Sequence, residues 1–193
     1  MADSILLQKI SATEAYRSSR LNTAHWVLQR PDVLEELLKY CFEDASEISY
    51  RAAWILEFVC LERFEMLFSQ LDYFFENLPA VKRDQAIRPM AHLCEMLCVA
   101  HYKKQRTQLL DQFTASHKKI LVECAFDWLI TDQKVACKVR AMTCLYYLGT
   151  EFDWIHAELA AIIRRDMPRS SAGYKSRGKQ TLLLIQKFRQ SQT

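Results

Sequence analysis

Glycine is nearly missing from this chain, with three in 193 residues, and there are only four prolines. Such scarcity leaves few residues suited to tight β-turns, while Leu, Ala, Glu, Lys and Arg are plentiful, so an all-α protein is expected. Also missing is any uninterrupted apolar stretch near the roughly eighteen residues that a membrane-spanning helix needs. The opening "MADSILLQKISATEAYRSSR" has no long apolar run and no small-residue cleavage site. It does not read as a secretory signal, and a cytoplasmic location without membrane contact is expected. The seven cysteines are odd in number and none stands in C-x-x-C. That spacing argues against a disulfide framework and for reduced, packed thiols. No motif implies a cofactor.

What is present is apolar material, half the chain, enough for one sizeable core or for one core shared along a stack of repeats. A helix of one type recurs five times, aligned on an arginine: "YRSSRLNTAHWVL" on Arg20, "EISYRAAWILEFV" on Arg51, "DQAIRPMAHLCEM" on Arg88, "ACKVRAMTCLYYL" on Arg140 and "GYKSRGKQTLLLI" on Arg177. The spacings are 31, 37, 52 and 37 residues, the range of two-helix repeats with one insertion. Leu56, Leu93, Leu145 and Leu182 stand five residues after the arginine, and Val59, Met96, Leu148 and Ile185 eight after it, so both sets share one helical face. These arginine helices are expected near 12–29, 46–60, 84–101, 133–149 and 171–189, with the insertion near 102–116.

Between them lie amphipathic partner segments, "DVLEELLKYCFED", "FEMLFSQLDYFFENL", "KKILVECAFDWLITD" and "DWIHAELAAIIRRDM". The unit is therefore a helical hairpin, and hairpins must stack to bury their apolar faces. The arginine helix would lie inside, which "AAWILEFVC" with its single charge suits. Boundary signals follow the same parsing. Ser11 with Glu14, and Asp44 with Glu47, have capping-box spacing. Gly149 closes one arginine helix, and Pro168 with Ser170 and Ser171 separates the last two helices. Pro89, one turn into a helix, should begin that helix or kink it. Tyr73, Phe74 and Phe75 are consecutive and cannot all point inward; Tyr146 and Tyr147 pose the same problem.

The arginine helices resemble the second helices of HEAT or armadillo-type repeats. Through "ISYRAAWILEFVC", "AIRPMAHLCEML", "FDWLITDQKVACKVRAM" and "DWIHAELA", nearly the whole chain resembles a family of small, uncharacterised HEAT-like proteins of Bacteroidetes-type bacteria. The resemblance implies one right-handed α-solenoid domain over 1–193, of about four and a half repeats, acting as a non-catalytic binding or scaffold module for a protein partner. Members of that family are often labelled adenylosuccinate lyase. The lyase signature, similar to G-S-S-x-M-P-x-K-x-N-P, is not met: "DMPRSSAGYKSRGK" has the letters in another order and lacks Asn-Pro. That activity ranks last.

In HEAT-like repeats the recurring arginine sets stacking register by pairing with acids or carbonyls of its own or the next repeat. Asp44 and Glu47 precede Arg51, Asp84 precedes Arg88 and Asp132 precedes Arg140, so such pairs are available. The alternative is a groove in which Arg20, Arg51, Arg88, Arg140 and Arg177 meet phosphate or an acidic peptide. Charge is uneven along the chain. Residues 164–193 hold eight Lys or Arg against one acid, so that end carries +7 of a total of +3. Lys175 and Lys179 join the arginines as the candidate binding surface, and "HYKKQRTQ" with "HKK" forms a second basic cluster. A basic end can bind nucleic acid by counterion release, or it can be a solvated capping repeat.

Two further constellations need weighing. Cys94, Cys98 and His101 share a helical stripe and could supply three ligands to zinc, with no fourth evident; the simpler reading is small core residues. Trp128 and Asp132 of "WLITD" are similar to part of the motif of HEAT-like alkylpurine DNA glycosylases, which implies a base-excision alternative with Asp132 stabilising charge on the departing sugar. Asp132 equally suits the N-cap of the next helix. The histidines show no triad pattern with a nucleophile, and nothing supports nucleophilic catalysis.

Overall fold

The computed structural model describes residues 5–42 and 47–192, and among these it is wholly helical, with no strand. Two compact units divide the chain at Leu93/Cys94. The first contains α1 (Ile5–Ser11), α2 (Arg17–Leu28), α3 (Leu34–Phe42), α4 (Glu47–Glu62), α5 (Leu71–Asn77) and the start of α6 (Asp84–Cys98). The second contains the end of α6, α7 (Thr107–Leu110), α8 (Ala115–Ile130), α9 (Val135–Leu148), α10 (Ile155–Asp166) and α11 (Ala172–Gln190).

All five arginine helices form, as α2, α4, α6, α9 and α11. In the first unit α4 is the centre, packed by α1, α2 and α3. Its run from Ile55 to Cys60 is buried at every position, Glu57 included, so it needs neighbours on several sides. In the second unit α9 plays that part, packed by α8, α10 and α11. Leu56, Leu93, Leu145, Val59, Leu148 and Ile185 are all buried as their spacing requires, whereas Met96 and Leu182 are half-buried. Each fully buried Leu or Ile contributes about 1.5–3 kcal/mol.

The partner segments also fold as helices, with one difference. "FEMLFSQ" is a 3-10 helix, Phe64–Gln70, which precedes the short α5. Phe74 and Phe75 are fully buried and Tyr73 half-buried, with Phe42 set edge-on to Tyr73 and Phe74 at 5.9 Å. Of the three consecutive rings, the tyrosine is the one directed outward.

Several boundaries differ from expectation. Ser11 ends α1 instead of capping α2: its hydroxyl donates back to the Leu7 carbonyl at 2.8 Å. α2 starts at Arg17, and the Ser19 hydroxyl accepts from the Glu14 N–H at 2.9 Å. Asp44 lies outside the described residues. Asp132 is not the cap of α9, since Lys134 holds that position with no side-chain cap bond. Gly149 does close α9, and Pro168, Ser170 and Ser171 do separate α10 from α11, where the Ser171 hydroxyl accepts from the Tyr174 N–H at 3.4 Å as the N-cap. Past Cys98 the α6 backbone widens into a π turn, Val99–Lys103, so the helix overruns into the insertion.

Pro89 neither starts α6 nor ends it. Proline has no N–H for the Gln85 carbonyl one turn earlier, which would leave that acceptor without its helical donor. The Trp54 indole N–H of α4 donates to the Gln85 carbonyl at 3.1 Å. A side chain from another helix thus replaces the missing backbone donor.

Candidate functional site

The guanidinium groups of three of the arginines are directed at the protein itself. Arg51 donates to Glu47 at 2.7 Å and to the Ser11 carbonyl. Arg140 lies 3.6 Å from Glu95. Arg177 lies 3.9 Å from the same carboxylate and donates to the Thr143 hydroxyl at 2.8 Å. The acid that serves Arg140 is therefore Glu95 of α6, not Asp132. Arg140 of α9 and Arg177 of α11 thus both approach one carboxylate of α6, whereas Arg51 holds its own helix and the end of α1.

Arg20 and Arg88 are placed differently. Arg20 stacks on the Trp54 ring with its guanidinium carbon 4.0 Å from the centroid, a cation–π contact. Burial lowers its pKa, the Arg88 charge lowers it further, and Glu57 opposes both. Glu57, buried in α4, meets His92 Nδ1 at 2.6 Å. This pair ties α6 to α4.

The basic surface centres on α11. Its nineteen residues include Lys175, Arg177, Lys179, Lys187 and Arg189 and no acid. Tyr174, Gly178, Thr181 and Ile185 form the buried stripe, at spacings of three and four. On the outer face Leu183 is 50% exposed and Leu184 37%. Lys179 and Lys187 stand four residues before and after Leu183, so both flank it on the helix surface. Lys175 is half-buried and Lys179 exposed. In "TLLLI" only Leu182, with Ile185, falls on the apolar register of the arginine helices, and that register says nothing of Leu183 and Leu184.

The remaining candidates are not assembled into sites. Cys94 and Cys98 are fully buried and His101 nearly so. Among the described residues no group of three or more His, Cys, Asp or Glu is arranged to hold a metal ion. Trp128 is 5% exposed inside α8, while Asp132 lies exposed in the turn after it. The two are not presented together.

A polar cluster in the second unit has no counterpart in the sequence reading. Lys118, part of the second basic cluster of the sequence, is 8% exposed and bonds Glu151 at 2.6 Å. His101 Nε2 is 3.8 Å from the same carboxylate, and the Lys118 ammonium sits 5.4 Å from the Tyr102 ring. Burial would raise the Glu151 pKa, but the Lys118 hydrogen bond and the other neighbours hold it below the usual carboxylate value. This is a satisfied ion pair under the π turn.

No family model, no curated protein and no solved structure matches this chain. Among the described residues no helix is long and apolar enough to cross a membrane.

Proposed function

We propose that the chain is a non-catalytic binding module of HEAT-like helical hairpins, and that α11 receives a protein partner through an acidic segment bearing apolar side chains. The observation that carries this reading is the outer face of α11, where Leu183 and Leu184 are exposed on a helix with five cations and no acid. Exposed leucines gain free energy when covered, and the surrounding charge selects a partner of opposite sign. Arginine helices packed directly on one another, α2 on α4 and α9 on α11, support the hairpin-repeat reading. The register contacts of Arg51, Arg140 and Arg177 support it as well.

Cross-linking of the full chain in a cell extract, beside a Leu183→Asp/Lys187→Glu variant, tests the assignment. Cross-links from α11 to an acidic segment, lost in the variant, support it. Capture that is equal for both chains overturns it.

The five cations of α11 favour a second reading, nucleic-acid binding of the kind seen in HEAT-like glycosylases. Fluorescence anisotropy with duplex DNA, single-stranded DNA and RNA across a salt series distinguishes it, using Lys175, Lys179 and Lys187 changed to Glu. Arg177 is left in place because it bonds Thr143 and Glu95. Affinity that falls steeply with salt and vanishes in the variant would favour nucleic acid and call for a glycosylase assay on Asp132→Asn. Salt-insensitive, negligible binding favours the protein partner. Adenylosuccinate turnover ranks third.

A further inference from the structure

Where α10 ends and α11 begins, the chain turns through Met167–Arg169 and leaves a cleft of about 640 Å³, lined by Lys138, Arg165, Asp166, Arg169, Ser170 and Tyr174 among others. All of it lies within the second unit. Three cations face one carboxylate. That carboxylate is already engaged, since Arg165 Nε and Nη2 donate to the two oxygens of Asp166 at 2.7 and 3.1 Å. Lys138 and Arg169 therefore add positive charge that the cleft does not neutralise.

Two further features point the same way. α11 is nineteen residues long and has no acid in its first turn, so its positive dipole end and first N–H groups meet no negative side chain of their own helix. Ser171 takes only the Tyr174 N–H. More telling is Tyr174 itself. The side chain is 2% exposed, yet its hydroxyl has no hydrogen-bond partner among the described residues. A buried hydroxyl left unpaired is unfavourable by roughly 1–3 kcal/mol, and native proteins seldom leave one so. Tyr174 lines the cleft together with Arg165 and Asp166, and both charges act on its hydroxyl. Burial, then Asp166, pushes its pKa up to about 12, so at neutral pH it carries its proton and is a donor.

We propose that this cleft binds the phosphate group of a small phosphorylated molecule, with Lys138, Arg169 and the first turn of α11 taking the charge and the Tyr174 hydroxyl donating to one phosphate oxygen. The volume fits a small molecule. The residues differ from Lys179, Leu183 and Lys187, so this site and the docking face of α11 stand or fall separately.

Calorimetry and thermal shift of the full chain with inorganic phosphate and with phenyl phosphate, at ionic strength matched by chloride, test the proposal. Saturable binding and a raised Tm are expected. Tyr174→Phe removes only the hydroxyl and should weaken binding about tenfold, equivalent to ~1.4 kcal/mol, without lowering the Tm of the ligand-free protein. Lys138→Ala/Arg169→Ala should weaken it further. Tighter binding of phenyl phosphate than of inorganic phosphate identifies a phosphorylated metabolite as the source, and the reverse order identifies the free anion. Absence of saturable binding, or affinity unchanged in Tyr174→Phe and the double variant alike, overturns it.

Discussion

An added Cβ at Gly149 would run into the ring of His156, whose Nε2 pairs with the Tyr146 carbonyl at 2.8 Å. Neither the ring nor the helix end can yield without losing that bond, so Gly149→Ala should destabilise the protein by ~1–3 kcal/mol. Gly173 offers the comparison. There the nearest atom to an added Cβ is Val135 Cγ1 at 3.4 Å, an ordinary contact on a helix, and Ala should stabilise by roughly 0.5–1 kcal/mol. Urea unfolding of the two variants checks the pair, and equal midpoints would show that the His156 contact is unimportant. The helix-ending role of Gly149 is visible in the sequence because glycine after a periodic apolar run is a local signal. Its second role is not visible, because His156 reaches it from the next helix. Arg140 makes the same point, since a nearby Asp132 suggests a partner but the carboxylate that meets it, Glu95, is far back along the chain.

Helices as elements were more legible than their ends. A repeated face of apolar residues places α2, α4, α6, α9 and α11, because burying that face dominates the energetics. Caps contribute about 1 kcal/mol each and give way to packing, which is why Ser11 closes a helix and Lys134 opens one. The insertion was legible as an interruption but not as a π turn with a buried Lys118, since both depend on contacts distant in sequence. α6 supplies the sharpest test at this scale. If Trp54 stands in for the donor that Pro89 lacks, Trp54→Phe should cost about 1–2 kcal/mol in the native chain. In a Pro89→Ala background the Gln85 carbonyl regains its own helical donor, and the same change should cost distinctly less. A double-mutant cycle by denaturant unfolding measures the coupling. Strict additivity would mean that the indole bond is incidental, although loss of the Arg20 stacking contact adds to both Trp54 variants equally.

At the scale of the whole chain, the perturbed histidines belong to the second unit. His101 and His156 both have lowered pKa values, burial being the first cause in each, aided by Lys118 at His101 and by Arg189 at His156. The unfolded imidazoles take up protons near the ordinary 6.5, which the folded ones resist. Stability is therefore fully present above that pH and declines as pH falls below it. Glu151 and Asp166, also lowered, extend the decline further into acid. Near-UV circular dichroism should show a lower melting temperature at pH 5 than at pH 7.5, with His156→Gln flattening the dependence; an unchanged profile would contradict the sign. The seven thiols are all buried, and burial raises the pKa of Cys41, Cys60, Cys94 and Cys144, so the native chain resists alkylation. Their distribution is unequal. Cys41 and Cys60 fall in the first unit and Cys94, Cys98, Cys124, Cys137 and Cys144 in the second. Each unit thus carries its own concealed count, and unfolding acquires a mass signature. Pulses of maleimide in rising urea should yield chains bearing two or five adducts before chains bearing seven, whereas a direct passage from none to seven would show that the two units open as one.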